Sequence, residues 1–355
     1  MEVMELSFKD FYQGKKVLVT GHTGFKGSWL SLWLRELGAE LSGYSLPTPT
    51  DPSLYSILNL DFPETLADIN DQAALVKHLQ THQPEIIFHL AAQPLVRESY
   101  RNPIGTFQTN IAGIWNLLAA VEQVPSVRAI IVVTTDKCYQ NHDLDQSFSE
   151  TDPLGGHDPY SASKACVEII CQSWRSSFLS SPSKAVLATV RAGNVIGGGD
   201  WAADRLLSDC IRSFVAGKQI ELRYPQAIRP WQHVLSALSG YLLLAEKLYT
   251  LGGHYAEAWN FGPRPDDRMT VEELVKMSAE LWGVPDLVTT FNSNNLHESR
   301  LLSLNIDKAV TRLNWSPNWD VQSSLIETIN WYKSWHQGVD MLNYSIKQIN
   351  KYQSS

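Results

Sequence analysis

Five residues in two short stretches could do chemistry together. They are Thr135, Asp136 and Lys137 within Thr134-Thr135-Asp136-Lys137, and Tyr160 and Lys164 within Tyr160-Ser161-Ala162-Ser163-Lys164. A Tyr-x-x-x-Lys spacing on a helix sets a phenol and an ammonium one turn apart on one face. A cation near a phenol favours the phenolate, so a group with an ordinary pKa of ~10 becomes a usable base. The first stretch follows the apolar run Ile130-Ile131-Val132-Val133, where a buried strand would open into a crevice. A surface ion pair of Asp136 and Lys137 would need both side chains outside that crevice, and the preceding run argues against it. The combination fits an oxidoreductase site carrying an extra acid/base pair.

Positioning such a site requires a sheet edge and a cofactor. Lys15 to Thr20 reads as a short buried strand, followed by Gly21-His22-Thr23-Gly24-Phe25-Lys26-Gly27 and an apolar helical pattern ending near Gly38. Strand, glycine turn and helix in that order predict a dinucleotide site, with backbone N–H groups of Gly21, Thr23, Gly24, Phe25 and Gly27 near a pyrophosphate. His22 places a bulky side chain in that turn, pointing harmlessly outward or else loosening the cofactor, in which case activity should rise when cofactor is added. A second strand, Glu40 to Tyr44, lacks the acidic residue that often holds an adenosine ribose. A third ends at Leu66-Ala67-Asp68-Ile69, where Asp68 and Ile69 could meet an adenine and Asp71 could cap the next helix. A fourth, Glu85 to Leu90, runs into Leu90-Ala91-Ala92, small enough to let a flat cofactor lie over the sheet edge. A helix over 107–121, a fifth strand over 128–134 and a strand over 185–191 follow. Asp158-Pro159 supplies a cap and a first-turn proline to a helix reaching about Phe178. Alternating strands and helices predict an α/β chain with a Rossmann-type doubly wound parallel sheet.

Beyond Arg191 the sequence turns to loops rich in Gly, Trp, Asp and Arg, with shorter helices over 205–216, 233–248, 270–281 and 321–335. The expected division is a dinucleotide domain over 14–192, rejoined by about 231–262. A smaller α/β substrate domain would occupy 193–340, mainly C-terminal, with a tail over 341–355 fraying after Gln348. The chain has 355 residues, 44% apolar and 19% charged, within the range of a folded globular protein. Its net charge of −8 argues against nucleic-acid or anionic-membrane partners. Cys138, Cys166, Cys171 and Cys210 form no C-x-x-C pair, so no metal site or disulfide framework is indicated. His233 and His297 lack metal-ligand partners at useful spacing. No signal-peptide pattern opens the sequence and no apolar run nears the roughly 20 residues of a membrane span, so a cytoplasmic location is expected.

Thr20-Gly21-His22-Thr23-Gly24-Phe25-Lys26-Gly27 with Tyr160-x-x-x-Lys164 resembles the extended short-chain dehydrogenase/reductases. Thr134-Thr135-Asp136-Lys137-Cys138-Tyr139 is similar to the signature of the sugar-nucleotide 4,6-dehydratases, most of which carry Thr-Asp-Glu there. The Asp-Lys variant, with His89 to Arg97, Arg191 to Trp201 and Arg229 to Val234, resembles the branch that acts on CDP-glucose. The likeness runs from about Lys16 to Trp335. It implies NAD as cofactor, oxidation at C4, loss of water across C5–C6 and hydride return to C6, giving a 4-keto-6-deoxy sugar for deoxysugar and surface-polysaccharide synthesis. Tyr160 would take the 4-hydroxyl proton, Lys164 would lower its pKa and hold the nicotinamide ribose, and Thr135 would bond the 4-oxygen. The family pattern makes Asp136 the acid and Lys137 the base, which needs a protonated aspartate beside a neutral lysine. The reverse uses their default charges, and both assignments stay open. Arg229, Arg205 and Arg300 are the candidates for the substrate pyrophosphate, with Asn194 on the phosphate or ribose and Trp201 either shaping the pocket or packing in the core. The resemblance also implies a homodimer or homotetramer through the helices over 107–121 and 159–178. A sugar-nucleotide 4-epimerase is the second enzyme reading, though it needs no Asp136-Lys137 pair. An NAD-sensing relative is the non-enzyme one, though such proteins tend to lose Tyr160 or Lys164.

Overall fold

The computed structural model describes residues 8, 10–141, 147–178, 184–222, 224–291 and 302–355. Strands β1 (Lys16–Thr20), β2 (Glu40–Ser45), β3 (Glu64–Leu66), β4 (Ile86–His89), β5 (Ala129–Val133), β6 (Val186–Ala192) and β7 (Ala258–Phe261) pair in the order 3-2-1-4-5-6-7. Every one of these pairings is parallel. The order reverses between β1 and β4, and a crevice opens at such a switch point beyond the carboxyl ends of the strands.

The helices that matter are α1 (Phe25–Glu36), α2 (Gln72–His82), α3 (Gly113–Val121), α4 (Pro159–Phe178), α5 (Leu206–Ala216), α6 (Val234–Leu251), α7 (Val271–Trp282), α8 (Val321–His336) and α9 (Met341–Gln353). The period-2 alternation of the strands decides which helix lies on which face. Val17, Val19, Ile86, Phe88, Ile131 and Val190 share one core with Trp29 and Trp33 of α1 and Leu238 and Leu242 of α6. Leu18, Ile87, Ile130, Val132 and Leu187 share the other with Leu75 of α2, Leu117 of α3 and Val167 of α4. Both faces are covered, which is why these strands read as continuous apolar runs.

The structure departs from the sequence expectations in three places. The helix expected over 107–121 is α3 preceded by a wide π turn, Gln108–Ala112. There Asn110 donates to Ser163 Oγ at 2.8 Å and accepts from Gln93 N at 2.8 Å, tying α4 to the loop after β4. The tail does not fray: α9 is capped by Asp340 and buries Met341, Ile349 and Tyr352, while its Ser345 Oγ accepts from Trp331 Nε1 at 2.9 Å. Thirdly, the helical stretch Val234–Tyr255 is long and apolar enough for a membrane span, although the sequence reading found no such run. Its apolarity is that of a core helix, since α6 packs against β5 and β6. After β6 the short pairs Ile220–Leu222 with Val288–Phe291 and Ile228–Arg229 with Met269–Thr270 gather with α5 and α7. Strand β7 returns to the main sheet.

Candidate active site

A cleft of about 2060 Å³ lies along the carboxyl ends of the strands. At one end is the glycine turn. Gly21 has φ +74°, and a Cβ there would stand 2.8 Å from Ala91 N. A Cβ on Gly27 would stand 2.1 Å from Gly21 O, so the turn and the first turn of α1 can close only without side chains at these two positions. Gly24, the N-cap of α1, gives no side-chain cap, and the first turn holds no acidic residue. The N–H groups at this helix end are therefore available to an anion. Thr23 Oγ1 donates to Leu46 O at 2.9 Å, and Phe25, Asp68, Ile69, Leu90, Ala91 and Ala92 line the same cleft. Asp68 Oδ1 accepts from Asn70 N at 2.8 Å, which holds the carboxylate at the rim. Asp71 is the cap of α2, through Ala74 N at 3.0 Å. This cradle fits a dinucleotide: close backbone, a donor-rich helix end and a flat apolar floor.

His22 behaves in neither of the ways considered from sequence. Its side chain is buried away from the cleft, over Gly43, with Nε2 2.6 Å from Glu64 Oε2 and its ring edge-on to Tyr55 and Phe62. It presents no steric obstacle to a cofactor.

The second part of the cleft holds the expected five residues. Asp158 caps α4 by accepting from Ser161 N at 3.0 Å, which fixes Tyr160 and Lys164 in the first turns. Lys164 Nζ donates to Val133 O at 3.0 Å, at the end of β5. Burial pushes Lys164 down to about 8, against the upward pull of Glu168. Burial also pushes Tyr160 up to about 12, partly countered by a hydrogen bond with Thr135 and by the charge of Arg205. That direction is opposite to the sequence expectation, because desolvation of the phenolate dominates.

Thr135 opens a single 3-10 turn, Asp136–Cys138, and accepts from Lys137 N at 3.3 Å while its hydroxyl donates to Asp136 Oδ1 at 3.0 Å. Asp136 is 2% exposed, and its Oδ2 has no hydrogen-bond partner. Burial holds its carboxyl above the usual range, although Lys137, Thr135, Lys26 and Arg229 all pull it down. A buried carboxyl with one idle oxygen suits a proton donor. Lys137 is half-buried and lines the same cleft.

Asn194, Arg205 and Arg229 line the cleft opposite the sheet. Arg205 Nη2 donates to Pro94 O at 3.5 Å, and Arg229 Nη1 to Ile228 O at 3.1 Å. Trp201 combines both roles considered for it, lining the cleft while standing edge-on to Trp331, Tyr332 and Trp335. His233 is a core residue capping α6. Arg300 and His297 lie outside the described residues.

Sequence reasoning passed over Lys26. It sits inside the glycine turn motif, lines the cleft and interacts with Asp136, Asp200, Arg205 and Lys164. Burial pushes it down to about 8, with Arg205 adding to the shift. Its signal was a cation inside a glycine-rich turn, where only close approach had been considered. Glu168 was passed over too, although its place four residues after Lys164, on the same helix face, was visible.

A family model described as the NAD dependent epimerase/dehydratase family matches residues 17–260. The chain belongs to that family. It is 48% identical to the CDP-glucose 4,6-dehydratase of Salmonella typhimurium over 353 residues, covering 98% of each chain. A solved dTDP-glucose 4,6-dehydratase of Streptomyces venezuelae with NAD bound superposes with a TM-score of 0.78 at 22% identity, over 92% of this chain and 99% of that one. A UDP-glucose 4-epimerase of Thermotoga maritima gives 0.79 at 23%, over 90% and 99%. At those identities the two structures speak to the fold, which is the Rossmann-type one expected.

Proposed function

We propose that this chain dehydrates CDP-glucose to CDP-4-dehydro-6-deoxyglucose, with NAD reduced and reoxidised within one turnover. The observation that carries the reading is one cleft holding a Tyr160–Lys164 pair beside a buried Asp136 and a half-buried Lys137. An epimerase needs the first pair only. The 48% relative over nearly the full chain supports CDP-glucose as the substrate. The Gly21–Gly27 turn, Asp68, Ile69 and Leu90–Ala92 would hold NAD, which would supply the hydride acceptor and afterwards the donor.

Tyr160 takes the proton of the sugar 4-hydroxyl, and Thr135 bonds the same oxygen. Lys164 stays charged to favour the phenolate and to hold a ribose hydroxyl. Once C4 is a ketone the C5 hydrogen is acidic, and Lys137 removes it while Asp136 protonates the departing 6-hydroxyl. The upward shift of Asp136 supports that order of roles over the reverse. Arg205 and Arg229 bind the pyrophosphate, with Asn194 beside them, in a smaller domain over 193–340.

Ile104, Trp115 and Ile169 are exposed on the helical turn 103–107, α3 and α4, which supports a homodimer or homotetramer through those faces. The four free thiols fit a reducing cytoplasm, where the product would feed deoxysugar and O-antigen polysaccharide synthesis. A panel of CDP-, dTDP-, UDP- and GDP-glucose, followed by 4-keto absorbance in alkali, tests the substrate. The CDP sugar should lead in kcat/KM by at least about tenfold, a preference worth ~1.4 kcal/mol. Equal rates across the panel, or a 4-epimer as product, would overturn the reading.

A further inference from the structure

Beneath the cleft runs a buried polar network that the steps above do not use. Glu168 lies four residues past Lys164 and eight past Tyr160, so all three share one face of α4. It is 1% exposed, and its carboxylate accepts from Thr134 Oγ1 at 2.5 Å, Thr189 Oγ1 at 2.8 Å and Arg191 Nη2 at 2.8 Å. Arg191, equally buried, donates from Nη1 to Tyr139 Oη at 2.8 Å and to Glu150 O at 3.1 Å, and its guanidinium lies 4.8 Å over the Tyr139 ring. The Tyr139 hydroxyl donates in turn to Asn260 Oδ1 at 2.7 Å on β7.

Thr134 and Tyr139 bracket Thr135 and the turn Asp136–Cys138. The acid/base turn is thus held at one end by Glu168 and at the other by Arg191. Tyr160 and Lys164 share α4 with Glu168 but have two further anchors that the turn lacks, the Asp158 cap and the Val133 carbonyl. Burying an ion pair costs desolvation that its attraction barely offsets, so its presence here points to geometry rather than to stability. Displacement of a reacting group by about 1 Å can cost about 100-fold in rate.

We infer that Glu168 and Arg191, acting through Thr134 and Tyr139, form a positioning clamp that sets the distance from Asp136 and Lys137 to Tyr160 and Lys164. The clamp rests on the dehydratase reading. Loosening it moves the short turn more than the helix, so water loss suffers before C4 oxidation does.

Tyr139→Phe removes the hydroxyl that joins Arg191 to Asn260 and keeps the packed ring. In the full chain with CDP-glucose and NAD, single turnovers would follow reduced nicotinamide for oxidation and C5 solvent-deuterium exchange for elimination. The clamp predicts oxidation within about 3-fold of wild type and elimination slowed by about 30-fold or more, so that reduced nicotinamide accumulates. Thr134→Val should give the same split and Thr134→Ser should restore wild-type behaviour, with melting temperatures reporting whether each variant is folded. Should Tyr139→Phe melt far below wild type, the Thr134 pair carries the comparison. An equal fall in both steps, or no fall in either while the wild type makes product, would overturn the clamp. A wild type that makes no 4-keto-6-deoxy sugar would overturn the dehydratase reading itself, and the clamp's role with it.

Discussion

Asp136→Asn separates the two assignments of the acid/base pair. The amide keeps the shape of the side chain, and its oxygen can still accept from Thr135, so the turn should hold. What it removes is the proton of a carboxyl that burial keeps above the usual range. A positioned general acid contributes about 10²–10⁴-fold, or ~3–5 kcal/mol at 1.36 kcal/mol per tenfold. Turnover of CDP-glucose should fall by about that factor. The same variant should lose little, within about tenfold, on a 6-deoxy-6-fluoro analogue, because fluoride departs without a proton. Exchange of the C5 hydrogen with solvent should persist, since Lys137 is intact. The wild type should lose turnover as pH rises through the raised Asp136 pKa, because the protonated form is the active one. If the fluoro analogue is equally impaired and C5 exchange stops, Asp136 is the base and the proposed order is wrong.

Three further predictions bear on the scaffold. Gly27→Ala would set a Cβ 2.1 Å from Gly21 O, so it should abolish NAD retention and destabilise the fold by about 1–3 kcal/mol, checked by calorimetry and denaturant melts. His89 and His233 are buried neutral, with burial pushing both down to about 3 from an ordinary 6.5. The unfolded chain binds these protons first, so stability should fall as pH drops below 6.5, by up to ~1.4 kcal/mol per unit for each histidine until about pH 3. Urea titrations at stepped pH should show this slope, and His89→Asn should reduce it. Trp115→Asp places a charge on the exposed α3 face and should shift the protein towards monomer in sedimentation while the monomer stays folded.

Much of the sheet was legible because each strand is covered on both faces and so reads as an unbroken apolar run. The strands from β1 to β6 fall at or near their expected places, whereas β7, Ala258–Phe261, is short and was recognisable only as part of a returning segment. The α9 helix was missed because its buried face mixes Ser345 and Gln348 with Met341, Ile349 and Tyr352, which dilutes the apolar period. Asp340 was the available signal, as its cap shows. In the site, spacing brought Tyr160 to Lys164 and placed Asp136 and Lys137 at a strand end. It could not reveal that burial raises the phenol, since desolvation depends on what packs around a group and not on its neighbours in sequence. The direction of His22 was equally hidden: its slot is formed by Gly43, Tyr55, Phe62 and Glu64, from three other parts of the chain.

The central claim is that one cleft carries out oxidation, water loss and reduction on a single sugar without releasing the hydride. CDP-glucose labelled with deuterium at C4, incubated with the protein and NAD, tests it most directly. The product should be a 4-keto-6-deoxy sugar bearing that deuterium at C6, with the C5 hydrogen drawn from solvent. A product without the label at C6, or an epimerised sugar retaining it at C4, would contradict the account.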